Sequence, residues 1–255
     1  MNEFLRATEY CDSKDPEIVS VGNDFLRRYP DQTERAIRLF YLVRDSIDYT
    51  VGNWRKKASE TMRLGHGTCT NNANLLVALC RATGIPAGYG VMEVVGPEYF
   101  GNIIPPRIAK TVSKKSKHIY CFVFISGRWI KCDPSDDEPL SINTQHLNPQ
   151  SNIVEWNGID HAILNLHPSH IISDRGPIAN IDHIINKKQR RIMTIPIMLG
   201  NTYISFLRHN GKTIDRLEDL EPEFEKWLKR NHFTRFLIAE IFFFFHDIMM
   251  KIKKS

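Results

Sequence analysis

Three residues fall in an order and setting suited to nucleophilic catalysis: Cys69, His118 and Asp133. A thiol becomes a strong nucleophile when its thiolate is stabilised, and the first turn of a helix supplies partial positive charge and backbone N–H groups for that purpose. Cys69 follows Gly65-His66-Gly67-Thr68, and Asn72 to Ala82 reads as a helix closed by Gly84-Ile85-Pro86, which places the thiol at the helix start. Gly65 and Gly67 permit tight turns there, and Gly67 is compatible with a close substrate approach.

His118 to Ile125 is rich in aromatic and β-branched residues and reads as a strand. Ser126-Gly127 is a two-residue turn, and Arg128 to Asp133 is its returning partner. This turn pairs Ile125 with Arg128 and, counting outward, Tyr120 with Asp133. His118 shares their face, so His118 and Asp133 are diagonal neighbours at roughly 7–8 Å between backbones, a gap that an imidazole and a carboxylate bridge. The set supplies a nucleophile, a base and an acid that holds the base's tautomer and stabilises its charged form. The backbone N–H of Cys69 is the expected first donor to an oxyanion.

The elements around these residues follow from periodicity. Thr33 to Ile47 has helical spacing behind a possible Thr33 cap, Gly88 to Val95 is strand-like, and Gly96 to Lys117 is a long loop with three prolines. Beyond Pro139 come loops, with helices expected near Ile178 to Arg191, Ile197 to Leu207 and Pro222 to Arg230. The chain is 255 residues long with a net charge of +5, 42% hydrophobic and 25% charged residues, values that exclude disorder and a multispanning membrane protein. Acidic and basic residues are interleaved, so nucleic acid is not an expected partner. Met1 to Arg6 lacks a secretory pattern and five scattered cysteines make a poor disulfide framework, so a reducing cytoplasm is expected.

Gly67-Thr68-Cys69 with Leu75 to Ala87, the strand start His118-Ile119-Tyr120, and Gly127-Arg128-Trp129-Ile130-Lys131-Cys132-Asp133-Pro134 together resemble the nucleophile, histidine and aspartate blocks of the transglutaminase-like superfamily. The resemblance covers about residues 33 to 139, and Tyr120 stands where the family often has Trp. It implies an α+β, papain-like core with the nucleophile at a helix N-terminus packed on an antiparallel sheet. A catalytic core over 1–140 and a mainly helical C-terminal extension over 141–255 are expected. It also implies acyl transfer through a Cys69 thioester to an amine acceptor, from a peptide, protein or carrier-bound acyl substrate. Hydrolysis of a peptide or amide bond is the first alternative, and a catalytically inactive binding module is the second. Gly67, Thr68, Tyr120 and Trp129 are the expected substrate contacts, and no cofactor is expected.

Weighed singly, Cys11, Cys80, Cys121 and Cys132 read as small buried hydrophobes. His161, His167 and His170 lack metal-ligand spacing, so no metal is expected. Arg107, Lys110, Lys114, Lys115 and Lys117 form a basic run before His118. It reads first as a solvated loop, and second, through Lys114 and Lys115, as a border of the cleft that greets an acidic substrate such as a carrier protein or its phosphopantetheine arm. Phe236 to Met250 is strongly apolar, too short to span a bilayer of roughly 30 Å, and expected to be a buried terminal helix rather than an interfacial membrane anchor.

Overall fold

The computed structural model describes residues 1–99, 101–148, 153–187 and 194–252. Its N-terminal part is helical. Asp15 caps α1 (Pro16–Arg28), and Asp31 rather than Thr33 caps α2 (Gln32–Ser46), its carboxylate accepting from Glu34 N at 2.8 Å. Aspartate two residues upstream competes well for the cap, so the helix starts two residues earlier than a Thr33 cap would set it. A two-residue parallel ladder, β1 (Asp48–Tyr49) with β2 (His66–Gly67), brackets α3 (Ala58–Leu64) and sets Tyr49 beside Gly67.

Next comes the central helix α4 (Cys69–Ala82), in which every residue from Cys69 to Arg81 is buried. A helix apolar only on one face could not be enclosed so fully. Here several polar side chains of the first turns bond internally, as when Asn74 accepts from the Tyr89 hydroxyl at 2.6 Å. A four-stranded antiparallel sheet covers it in the order β5-β4-β3-β6, from β3 (Ala87–Val95), β4 (Lys115–Ile125), β5 (Arg128–Cys132) and β6 (Ile171–Ile178). The β4–β5 hairpin has the expected register, Ile125 opposite Arg128, with Ser126 and Gly127 both at positive φ (51° and 79°) as a tight primed turn requires.

The expected long loop before His118 is shorter than foreseen. It holds the single turns α5 (Gly96–Tyr99) and α6 (Pro106–Ala109), and β4 begins at Lys115 because β3 pairs with it as far as Val95. After α7 (Glu138–Thr144) the chain returns to the core through β6 and α8 (Asp182–Lys187), so residues 171–178 are strand and only 182–187 of the helix expected near 178–191 is helical within the described residues. The remainder is helical: α9 (Ile195–Asn210), α10 (Leu220–Asn231) and α11 (Phe233–Ile252).

Among the described residues two large apolar clusters result, beside a small one of Met92, Val94, Tyr120 and Phe122. One joins α1, α2, α4 and the sheet, and takes in Val154, Trp156, Ile181 and Ile185 from beyond residue 140. The other gathers α9, α10 and α11 with Tyr49, Leu140 and Cys69 itself. The last helix departs from expectation. Ala239 and Phe243 are buried, whereas Leu237, Ile241, Phe244, Phe245 and Met249 are exposed, because α11 packs through one face only and its other face is equally apolar. Among the described residues no helix is long and apolar enough to cross a membrane.

Candidate active site

Cys69 is the first residue of α4. Thr68 caps the helix, accepting from Asn71 N, while the Asn71 carboxamide oxygen accepts from Thr68 N at 3.0 Å. This reciprocal cap holds the nucleophile at the positive end of the helix dipole. Cys69 is 6% exposed and shares a hydrogen bond with His118.

Past the last ladder pair, Cys121 opposite Cys132, the hairpin places Asp133 diagonally from His118. The His118 Nε2 to Asp133 Oδ2 distance is 2.6 Å, with the residues 2% and 1% exposed. Burial opposes a charged imidazole, but the charge and hydrogen bond of Asp133, together with Cys69, outweigh it and hold His118 well above the ordinary histidine range. The other Asp133 oxygen accepts from the Ser135 hydroxyl and from Ser135 N at 3.2 Å, so the buried carboxylate is fully bonded.

Asn72 couples nucleophile and acid. Its amide donates to the carbonyls of Pro134 and Ser135, each at 3.2 Å, tying the first turn of α4 to the turn that carries Asp133. Gly67 stands behind this bridge: a Cβ there would lie 2.6 Å from Asn72 Oδ1 and 2.8 Å from Asn71 Cβ. The glycine is required by helix packing, and Thr68 is the expected contact that lines the cavity at Cys69.

Tyr99 completes the site and was not foreseen. Its hydroxyl lies 2.9 Å from His118 Nδ1, and burial pushes the phenol well up, so it remains an O–H that donates to a neutral ring and accepts from a charged one. Asp136, one turn beyond Asp133, is pushed up to about 7 by burial and by the Asp133 charge. Asp137, next to it, is bonded on both carboxylate oxygens. It accepts from Tyr49 N at 2.8 Å and Leu140 N at 3.0 Å, and pairs with Arg208 of α9 at 2.7 Å in a buried setting.

Tyr120 and Trp129 share the face of His118 but line no part of the cavity at Cys69. The Tyr120 ring lies flat over Gly90, where a Cβ would approach to 2.1 Å, and its hydroxyl donates to Asp174 at 2.7 Å. Trp129 packs on Phe4 and Phe124 at the hairpin's far end. The basic run is largely neutralised: Arg107 pairs with Glu225 and Glu240 at 2.9 and 2.8 Å, Lys110 with Asp247 at 3.7 Å, and Lys115 with Glu93 at 3.4 Å. Lys115 and Lys117 border cavities at the site, whereas Lys114 lines neither. His161, His167 and His170 are engaged separately, with Lys131 N, Ser169 and Glu98.

A cavity of about 80 Å³ adjoins Cys69, lined by Thr68, Trp54, Tyr99, Lys117 and His118 among others. Val51, Trp54, Ser116 and Lys117 also line a larger cavity of about 480 Å³ whose far wall is α9. Trp54 had no signal in periodicity or spacing. The loop bearing Val51 is keyed to α9 by Asn201, which accepts from Val51 N at 2.8 Å and donates to Val51 O at 3.0 Å.

No curated protein matches the chain. Among solved structures, a candidate cysteine protease from Cytophaga hutchinsonii is 23% identical, with a TM-score of 0.41 over 54% of this chain and 42% of that one. The chain therefore spans less than half of that protein's length. Residues 20–134, a little under half of the 255, match the profile of the transglutaminase-like superfamily, a span that contains the cysteine, histidine and aspartate blocks. Over that segment the chain is similar to the transglutaminase-like superfamily.

Proposed function

We propose that the chain is a cysteine-dependent acyltransferase that forms a thioester on Cys69 and passes the acyl group to an amine, making an amide. The observation that carries this reading is the placement of Cys69 at the head of α4 in hydrogen-bond contact with a buried His118–Asp133 pair. His118 takes the thiol proton, Asp133 stabilises the imidazolium, and the thiolate attacks the donor carbonyl. The resulting oxyanion forms at the positive end of α4, with the Cys69 backbone N–H assigned as first donor. His118 then protonates the leaving group, and the incoming amine loses its proton to the same ring as it displaces the sulfur.

Hydrolysis by the same residues is the competing outcome. An inactive binding module is disfavoured by the retention of all three side chains. The test is to incubate the protein with an activated acyl donor, map the adduct by mass spectrometry, and then add a primary amine. The expected result is an acyl mass on Cys69 that disappears with stoichiometric amide formation. Release of free acid only would make the protein a hydrolase, and no adduct on Cys69 would remove the nucleophile assignment.

A further inference from the structure

Resting on that acyl-transfer reading, we infer that the 480 Å³ cavity between the start of β4 and α9 is the acyl-donor pocket, and that its occupant is an apolar acyl chain carried on an anionic thioester head group. The volume lies within the range of sites that enclose small ligands. Its walls are chiefly aliphatic, with Ile104, Ile108 and Val112 on one side and Ile197 and Ile204 of α9 on the other. The cavity is continuous in its lining with the space at Cys69: Val51, Trp54, Ser116 and Lys117 belong to both. A chain lying against α9 therefore has its carbonyl end directed past Trp54 toward the thiol.

Charge at the rim selects the head group. Lys117 lines both cavities and, among the described residues, has no ion-pair partner, while Lys115 beside it is paired only with Glu93 at 3.4 Å. The basic residues further back, Arg107 and Lys110, are already taken up by the helices of the extension. The rim is thus cationic where a phosphate-bearing head would emerge. The helical extension acquires a role as well. Asn201 and Arg208 fix α9 to the strand and loop at Tyr49 and Val51, so the wall of the pocket is held in register with the nucleophile.

In the acylation step the Cys69 sulfur forms a bond to the donor carbonyl carbon, the bond from that carbon to the thioester sulfur breaks, and the departing thiolate takes the proton from His118. No redox partner is needed.

Binding is tested with full-length Cys69→Ala, which cannot turn over, titrated by calorimetry with acetyl-, hexanoyl- and octanoyl-coenzyme A. Burying one methylene is worth about fourfold in affinity, and an open wall reduces this, so octanoyl should bind about tenfold or more tighter than acetyl. Val112→Trp and, from the opposite wall, Ile204→Trp should each fill the pocket and erase that preference. Circular dichroism identifies any variant that fails to fold, and the other wall then decides. Equal affinity for all chain lengths, or a preference that survives both folded variants, overturns the pocket assignment. Wild-type protein treated with the same thioesters and examined by mass spectrometry tests the underlying reading separately. A chain-length preference in binding without any Cys69 adduct would refute acyl transfer and keep the pocket, whereas an adduct formed equally from all three would do the reverse.

Discussion

Asp133→Asn gives the sharpest test of the site, because the surroundings dictate which way the new amide must face. Ser135 donates to Asp133 Oδ1 through both its hydroxyl and its backbone N–H, so that position has to remain a carbonyl oxygen. The amide NH₂ is then driven to the Oδ2 position, 2.6 Å from His118 Nε2, and donates where a carboxylate accepted. His118 Nε2 becomes an acceptor and its proton moves to Nδ1, the nitrogen that must receive the thiol proton from Cys69. A hydrogen bond survives, so the fold should stand, but the base is lost in the wrong tautomer. By analogy with other triads kcat should fall about 10²–10⁴-fold, or about 3–5 kcal/mol of barrier. The assay is the burst of leaving group on acylation, with circular dichroism alongside. Adding Ser135→Ala removes the hydroxyl donor but keeps the backbone N–H that holds the amide oxygen in place, so the double variant should recover no activity. Full kcat in Asp133→Asn, or an unfolded protein, would refute the argument. Asp136 would then be the acid to examine, since Asp137 is committed to Arg208 and two backbone amides.

Stoichiometric iodoacetamide near neutral pH should label Cys69 ahead of Cys11, Cys80, Cys121 and Cys132, which are fully buried and whose thiols burial pushes up, Cys11 to about 11; peptide mapping reads the order, and Cys80 or Cys121 labelled first would contradict it. Tyr99→Phe should speed acylation about 2- to 10-fold by releasing His118 Nδ1 for the thiol, measured as the burst rate, and a slower burst would show that the phenol positions the ring instead. Asp136 titrates near 7 in the folded chain against an ordinary 3.8, so folding takes up a proton and this group's contribution is full below about pH 4 and lost as pH rises through 7. Asp136→Asn should remove that decline, seen as a flatter urea midpoint between pH 4 and 8 than wild type, and parallel curves would discount it. Arg208→Ala strands the buried Asp137 carboxylate and should cost about 3–5 kcal/mol by urea unfolding, whereas Arg107→Ala breaks half-exposed pairs and should cost about 1 kcal/mol or less; a reversed order would overturn the burial argument.

The parts of the site that could be read in advance are those set by local rules. A two-residue turn fixes hairpin register, so the His118–Asp133 diagonal followed from counting, and a helix start leaves a capping signature, so the setting of Cys69 did too. The expectation for Tyr120 and Trp129 shows where that reasoning stops. Strand parity tells which face a side chain takes, not what lies above it. The cavity sits over the beginning of β4, while Tyr120 is drawn to Asp174 of β6 and Trp129 to Phe4, partners 54 and about 125 residues away along the chain. Tyr99 reaches His118 from a single helical turn that no periodicity marks, and the Arg208–Asp137 pair joins residues 71 apart. The last helix differs from its expectation for a related reason: an apolar run shows that burial is favourable, but coverage depends on how much neighbouring surface there is.

The crowding behind Gly67 makes the nucleophile and the acid mechanically one part. A methyl group at residue 67 has no space unless Asn71 and Asn72 shift, and Asn72 is the side chain that grips the carbonyls of Pro134 and Ser135. The displacement would travel along that grip to the turn holding Asp133, away from any substrate. Gly67→Ala should therefore act as a misalignment lesion, slowing turnover while substrate affinity stays near its original value. A random mutagenesis screen would score position 67 as catalytic although its residue carries no functional group at all.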